Sequence, residues 1–293
     1  MKKIGLIGIG LVGTAMAESL LARKFDVIGF DIDPQRCAEF EKLGGKFASS
    51  PVETARQVEH VIFSLPDTQV VQHVVEDPNG ILEANPLPKY IIDTTTGDPQ
   101  ETLALAERLK QQSINMLDST ISGSSQQVRD RVAVFMVGGD KAAFEKCNDI
   151  FKILSDRVFY IGPSGHGSKA KLASNLILGL NRLVLAEGLV FAEKLGLDPA
   201  KFLEVAKGSA SQSQVMDIKG PKMVSGDFTP QGYVHQSLKD TKLMLAQANA
   251  HGQRLSMLEI YSGMMQACVD AGEAELDNAA VINEVRRRTV AGR

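Results

Sequence analysis

The chain has 293 residues, of which 44% are hydrophobic and 23% are charged, and its formal net charge is −3. That length allows two domains with separate cores, and the small net charge argues against a nucleic-acid or membrane-surface partner. The three cysteines are far apart and lack metal-ligand spacing, which predicts no metal site and a reducing, cytoplasmic environment.

The N-terminal segment MKKIGLIGIGLVGTAMA allows two interpretations. Its two lysines, apolar run and Ala15-x-Ala17 pair are typical of a signal peptide. Its glycines fit a more specific nucleotide-binding pattern, which we favour. Because no run of about 20 apolar residues occurs, we expect no membrane span.

Strand and helix patterns alternate from the N-terminus to about residue 160. The strand candidates are KKIGLIGI, DVIGFDI, HVIFSLP, YIIDTTT, INMLDSTI, VAVFMVGG and RVFYIG. Helical segments such as TAMAESLLARK and PQETLALAERLKQQ lie between them. This alternation predicts an α/β fold with a Rossmann-type, doubly wound parallel sheet in residues 1–162.

Only helical patterns follow Gly162. Leu172, Leu176, Leu180 and Leu183 recur at steps of three and four, which predicts one long helix from about 168 to 195. Asp198-Pro199 is typical of a helix start, and two further helical segments end near Gly252 and Gly272. We therefore expect an all-α C-terminal domain in residues 163–293, with the long helix bridging the two domains.

A G-x-G-x-x-G motif follows the first predicted strand and opens the first helix. The motif consists of Gly8, Ile9, Gly10, Leu11, Val12 and Gly13. Gly8 permits a tight turn, Gly10 lets the backbone approach a pyrophosphate, and Gly13 lets helix and strand pack closely. The phosphates would then lie at the helix N-terminus, where backbone N–H groups and the helix dipole favour anions.

An acidic residue, Asp31, ends the second predicted strand 18 residues after Gly13. A carboxylate at this position accepts hydrogen bonds from the adenosine ribose and repels a 2′-phosphate, so the sequence predicts NAD in preference to NADP. Asp33 is better interpreted as the cap of the next helix.

The segment GPSGHGSKAKLASN contains two candidate functional lysines, Lys169 and Lys171. A phosphate loop requires lysine directly after the last glycine, and here Ser168 intervenes. Lys171 and Asn175 are four residues apart, so on a helix they share one face. The residues alone leave open whether Lys171 is catalytic or a surface residue.

Six segments, taken in order, resemble the β-hydroxyacid dehydrogenase family over nearly the whole chain. They are GLIGIGLVGTAMAESL, SLPD, IIDTTT, DSTISGS, GHGSKAKLASN and LKDTKLMLAQA. The resemblance implies an NAD-dependent oxidoreductase that interconverts a small 3-hydroxy acid and its semialdehyde. It places the active site in a cleft between the domains, near the start of the long helix.

The resemblance also assigns roles to individual residues. It makes Lys171 the general acid and base and Asn175 the residue that orients the substrate hydroxyl; a lysine performs this role best when its pKa is lowered toward neutrality. It implies that the substrate carboxylate binds to Ser122, Gly123 and Ser124. The remaining implied cofactor or substrate contacts are Leu65, Pro66, Thr95, Thr96, Lys239 and Asp240.

Four departures from the family pattern leave the substrate open. Ser119-Thr120 replaces the usual Ala-Pro, Ser124 replaces a second glycine, Ser174 replaces an asparagine, and Gly232 replaces a phenylalanine. The loop at residues 118–124 has no arginine for a second anionic group, so we expect a small semialdehyde acid rather than a sugar phosphate.

Alternative functions are a reductase of glyoxylate or succinic semialdehyde, an imine reductase, or a non-catalytic dinucleotide sensor. Imine reductases of this architecture usually replace the lysine that aligns with Lys171, and sensor relatives lose it. We further expect a homodimer or homotetramer, assembled through the helical domain.

Overall fold

The computed structural model describes residues 2–288, and the chain divides into two compact units. The first unit extends through Lys171, and the second begins at Leu172. This division falls inside one long helix, whereas the sequence-based boundary lies before that helix at Gly162.

The first unit contains one eight-stranded sheet with the strand order β3-β2-β1-β4-β5-β6-β7-β8. The strands are β1 (Lys3–Ile7), β2 (Asp26–Phe30), β3 (Lys46–Phe47), β4 (His60–Phe63), β5 (Tyr90–Asp93), β6 (Asn115–Ser122), β7 (Val134–Gly138) and β8 (Arg157–Gly162). Adjacent strands are parallel, except that β6 and β7 are antiparallel. The doubly wound α/β prediction is confirmed.

The sheet departs from the expected parallel arrangement at one place, the β6–β7 pair. The connection between these strands contains one helix of only five residues, Ser125–Arg129. A parallel crossover needs a dozen or more residues, so this short connection favours an antiparallel return. The carboxyl end of β6 still lies at the same sheet edge as those of β1, β4 and β5, because these strands run in one direction.

Helices surround the sheet and form the second unit. In the first unit they are α1 (Leu11–Ala22), α2 (Pro34–Lys42), α3 (Pro51–Ala55), α4 (Thr68–Glu76), α5 (Pro99–Gln111), α6 (Ser125–Arg129) and α7 (Lys141–Leu154). The helix α8 (His166–Lys194) crosses the division between the units. The second unit adds α9 (Pro199–Lys207), α10 (Gln214–Ile218), α11 (Gly220–Ser225), α12 (Val234–Ala250), α13 (Ser256–Asp270) and α14 (Val281–Arg287).

Alternate residues of the central strands belong to two separate cores. Ile4 and Leu6 of β1 join the core that includes α1 and α7, whereas Ile7 joins the core that includes α4 and α5. Successive side chains of a strand point to opposite faces, so this alternation shows that apolar layers cover the sheet on both sides.

The second unit has its own apolar core, formed by residues such as Leu189, Met223 and Tyr261. It also buries an ion pair, in which Lys219 Nζ lies 2.8 Å from both carboxylate oxygens of Asp277. The regular elements of its described residues are helices, as the sequence predicts, apart from an isolated bridge between Tyr233 and Asp277.

Among the described residues, α8 alone is long and apolar enough to cross a membrane, judged by length and composition. A core helix of a globular protein passes the same test. In its most apolar window 44% of the residues are buried, and Leu172, Leu183 and Leu189 belong to the core of the second unit.

All three cysteines, Cys37, Cys147 and Cys268, are buried and form no disulfide. Burial raises the pKa of the Cys147 and Cys268 thiols to about 12.

Candidate active site

The glycine motif forms a tight turn from β1 into α1. Gly8 has a φ of +91°, in the left-handed region that glycine favours, and its N–H donates to the Phe30 carbonyl at 2.9 Å. A Cβ at Gly13 would overlap the Gly8 carbonyl oxygen, which explains the close packing of helix on strand. A Cβ at Gly10 would have only Arg36 Nη1 nearby, at 3.8 Å.

The N-terminus of α1 fits a dinucleotide pyrophosphate. The N-cap residue is Gly10, and no side chain caps the helix. The first backbone N–H groups of such a helix have no intrahelical partners, so they can donate to an anion. Residues 8–13 are called the nucleotide loop below.

Asp31 is buried at the end of β2 and contacts the nucleotide loop. Its carboxylate accepts hydrogen bonds from the Ile9 N–H at 2.6 Å and the Asp33 N–H at 2.9 Å, and Arg36 Nη1 lies 3.6 Å away. Asp33 caps α2 by accepting from the Gln35 N–H, which confirms that expectation. A buried carboxylate next to the nucleotide loop matches the arrangement that binds an adenosine ribose.

The loops after β4 and β5 lie side by side at the same sheet edge. The Leu65 N–H donates to Thr95 Oγ1 at 3.3 Å, and Thr94 Oγ1 donates to the Phe63 carbonyl at 2.6 Å. Pro66 follows Leu65, and Thr96 follows Thr95. The structure thus brings together the cofactor contacts expected after these two strands, because parallel neighbouring strands end together.

The segment expected to bind the substrate carboxylate consists of Ser122, Gly123 and Ser124 and lies at the carboxyl end of β6 at this edge. It is called the carboxylate loop below. Ser124 starts α6 with a capping box: its hydroxyl accepts from the Gln127 N–H at 3.2 Å, and its own N–H donates to Gln127 Oε1 at 2.9 Å. The Ser124 N–H is therefore already used, while the hydroxyl keeps a proton that can be donated. The sequence analysis did not assign this cap, although the S-x-x-Q spacing of Ser124 and Gln127 is a local signal for it.

Lys171 and Asn175 both lie on α8, four residues apart. Lys171 is buried, with 8% of its surface exposed, whereas Lys169 is exposed. In the second unit, Asn175 Nδ2 donates to Asp240 Oδ2 at 2.9 Å, and Lys239 Nζ lies 3.5 Å from Asp240 Oδ1. Asn175 Oδ1 is buried and has no hydrogen-bond partner among the described residues.

An unpartnered, buried amide oxygen is costly, and native structures contain few of them. The hydrogen bond to Asp240 fixes the other end of the amide, so Asn175 Oδ1 can accept a hydrogen bond from a ligand hydroxyl. Because a carboxylate accepts only from the amide N–H₂, the Asp240 contact also determines which way the Asn175 amide is turned.

Two buried carboxylates on neighbouring strands were not assigned roles from the sequence. Burial raises the pKa of Asp93 to about 7, and the nearby Asp118 carboxylate adds to this rise, while hydrogen bonds from Thr95 oppose it. Burial also raises the pKa of Asp118, although the N–H groups of Ser168 and Gly165 stabilise its charged form. Buried titratable groups with shifted pKa values are often found at functional sites.

Comparisons with known proteins identify relatives of both parts of the chain. Residues 3–162 match the NAD-binding domain of 6-phosphogluconate dehydrogenase, and residues 165–285 match the NAD-binding region of NADP-dependent 3-hydroxyisobutyrate dehydrogenase. A 2-hydroxy-3-oxopropionate reductase of Escherichia coli K12 is 30% identical over 96% of each chain. Glyoxylate/succinic semialdehyde reductase 1 of Arabidopsis thaliana is 29% identical over 97% of this chain and 98% of its own.

A solved structure shows the same fold. The 3-hydroxyisobutyrate dehydrogenase of Salmonella typhimurium superimposes with a TM-score of 0.88 at 25% identity, covering 97% of this chain and 99% of its own.

The nucleotide loop, the buried acid after β2 and these matches define an NAD-binding oxidoreductase. The Escherichia coli and Arabidopsis relatives both match over nearly their full length and are named reductases, and a 2-(hydroxymethyl)glutarate dehydrogenase of Eubacterium barkeri also matches over 93% of its length. The chain belongs to the β-hydroxyacid dehydrogenase family and is an NAD-dependent 3-hydroxyacid dehydrogenase.

Proposed function

We propose that the protein reversibly oxidises a small 3-hydroxy acid, of the 3-hydroxyisobutyrate type, to its semialdehyde, with Lys171 as general acid and base. The observation that carries this proposal is the buried Asn175 amide oxygen, which has no hydrogen-bond partner within residues 2–288 and lies one helical turn from a buried lysine. A substrate hydroxyl is the kind of donor that this oxygen lacks.

Bound NAD would accept the hydride from the substrate carbon, or NADH would return it. The chain's own residues would handle the proton. During oxidation, Lys171 Nζ takes the proton of the substrate hydroxyl while Asn175 Oδ1 orients that hydroxyl. During reduction, Lys171 returns the proton to the carbonyl oxygen.

The carboxylate loop would fix the other end of the substrate. The Ser122 and Ser124 hydroxyls and the Gly123 N–H can donate charge-assisted hydrogen bonds to a carboxylate. Holding both ends of a small acid restricts its orientation, which is a large part of what an active site contributes to rate. Thr96 and Asp240 are further proposed substrate contacts, and Lys239 is a proposed cofactor contact.

The test is steady-state nicotinamide absorbance with NAD or NADP against small 3-hydroxy acids, semialdehydes and glyoxylate. Lys171→Met should lower kcat by roughly 10²- to 10⁴-fold, because it removes the acid–base group. The matched control is Lys169→Met, which removes an exposed lysine from the same helical turn and should leave kcat within about twofold.

Each result discriminates among functions. Full activity in Lys171→Met would refute the lysine mechanism. Turnover confined to glyoxylate or succinic semialdehyde would favour a reductase like the Arabidopsis relative, and turnover of cyclic imines would favour an imine reductase. Tight NADH binding without turnover of any substrate would favour a dinucleotide sensor.

We also propose that the protein works in the cytoplasm as a homodimer or homotetramer, with neither nucleic acid nor membrane as a partner. Exposed apolar side chains support the assembly. Ile177, Val184 and Phe191 recur every seven residues on α8, and their exposed fractions are 64%, 54% and 65%. Residues seven apart lie on nearly the same helix face, so they form an apolar stripe suited to a second copy.

A further inference from the structure

The start of α8 packs directly on strands β6 and β7. Asp118, in the middle of β6, accepts hydrogen bonds from the Gly165 N–H through Oδ1 and from the Ser168 N–H through Oδ2, each at 2.9 Å. Both bonds are buried, and the Asp118 residue is 2% exposed. One carboxylate therefore satisfies two backbone donors at the beginning of the helix that carries Lys171.

A second buried side chain of β6 contacts the same helical turn. Thr120 Oγ1 donates to the Gly167 carbonyl at 2.9 Å, and Thr120 is fully buried. In an α-helix, the carbonyl of residue 167 also accepts from the N–H of residue 171. Thr120 is thus bonded to the same backbone carbonyl that pairs with the amide of Lys171.

Two glycines make this close approach possible. A Cβ at Gly138 would lie 2.7 Å from the Gly167 nitrogen, and a Cβ at Gly167 would lie 2.5 Å from the Met136 carbonyl oxygen. Both distances are too short for real atoms, so larger residues would push the helix away from the strands.

We propose that Asp118 and Thr120 are positioning residues for Lys171. Strand β6 ends in the carboxylate loop, while its middle holds the first turn of α8. A single strand therefore fixes the base relative to the group that would bind the substrate carboxylate. This inference rests on the proposed function. It gives a positioning role to Thr120, which stands where the family pattern has proline.

The kinetic test compares three variants. Thr120→Val removes the hydroxyl but keeps the shape, and Thr120→Ser keeps the hydroxyl. Thr54→Val is the matched control, because Thr54, in helix α3, is also fully buried and its Oγ1 donates to the backbone carbonyl of Ser50, the N-cap of that helix. Displacing a catalytic group by a fraction of an ångström is costly, so Thr120→Val should lower kcat roughly tenfold.

The expected pattern separates positioning from general stability. Thr120→Val should leave KM within about twofold, Thr120→Ser should restore kcat to within about threefold, and Thr54→Val should keep the wild-type kcat. Each valine variant loses one hydrogen bond made by the hydroxyl of a buried threonine, so falls in Tm of similar size are expected. Equal kcat values in Thr120→Val and Thr54→Val would overturn the proposal.

A second measurement does not depend on turnover. Hydrogen exchange of the backbone amides of residues 165–171 should speed up roughly tenfold or more in Thr120→Val and in Asp118→Asn, but not in Thr54→Val. Unchanged exchange in both β6 variants would overturn the inference. Faster exchange in the two β6 variants, combined with a wild type that turns over none of the substrates, would refute the proposed function while showing that the contacts of β6 hold the helix.

Discussion

At the scale of single residues, the site depends on polar groups whose environment determines their state. Asp31 shows this for the cofactor. Its two oxygens accept from the backbone N–H groups of Ile9 and Asp33, so its position is set by the nucleotide loop and the start of α2 rather than by side-chain packing. A carboxylate held in this way keeps lone pairs that can accept hydrogen bonds from a ribose, as the prediction of an NAD-binding acid at this position requires.

Asp93 makes a pH-dependent contribution to stability. Its pKa is about 7 in the folded chain, whereas an aspartate in an unfolded chain titrates near 3.9. Between these pH values the folded chain keeps a proton that the unfolded chain has lost, so this contribution to the free energy of unfolding falls as pH rises from about 4 to 7.

Asp93→Asn should remove this dependence, since an amide oxygen can still accept from the Thr95 N–H. The difference in the free energy of unfolding, variant minus wild type, should be about 2 to 3 kcal/mol larger at pH 8 than at pH 5, because only the wild type loses stability over this range. Urea denaturation at both pH values measures the difference. Asp270→Asn, at an exposed position, is the control, and an effect shared by both variants would contradict the burial explanation.

At the scale of elements, two glycines of the turn from β1 into α1 are expected to have different roles, Gly10 in cofactor binding and Gly13 in folding stability. Gly10→Ala should leave the free energy of unfolding of the cofactor-free protein within about 0.5 kcal/mol, because a Cβ there meets only Arg36. It should weaken NADH binding roughly tenfold or more, because its methyl group occupies the approach to the pyrophosphate.

Gly13→Ala should behave in the opposite way. Its Cβ overlaps the Gly8 carbonyl, so the free energy of unfolding should fall by about 1 to 3 kcal/mol. Calorimetric titration with NADH and thermal unfolding measure the two effects. If Gly10→Ala bound NADH as tightly as the wild type, the assignment of the nucleotide loop would be wrong.

Local patterns made this turn and the elements around it predictable. The glycine spacing, the acid after β2 and the periodicity of α8 can all be read within a few tens of residues. By contrast, Asp118 and Thr120 contact residues 47 to 50 positions later, and no local pattern reports such a pairing. The two-residue strand β3 and the five-residue helix α10 are too short to show periodicity.

The antiparallel β6–β7 pair was missed for a related reason. Strand patterns indicate burial but not direction, and α6 is too short for a periodic signal. The orientation of the Asn175 amide was equally beyond the sequence, because it depends on Asp240, 65 residues later.

At the scale of the whole molecule, the apolar stripe on α8 predicts self-association. Phe191→Asp should lower the sedimentation coefficient to that of a smaller species, since it places a charge among Ile177, Val184 and their counterparts in a second copy. Lys110→Asp is the control, because it reverses an exposed charge on α5. A wild-type protein that sediments as a monomer would show that the assembly proposal is wrong.

The three buried thiols give each part of the chain a built-in chemical reporter. Cys37 lies on α2, Cys147 on α7 and Cys268 on α13, so they sample both compact units. Because these thiols are buried, a thiol reagent can modify them only when the surrounding structure opens. The modification rate at each cysteine, followed by peptide mass, therefore measures how often each helix opens in a protein of unchanged sequence.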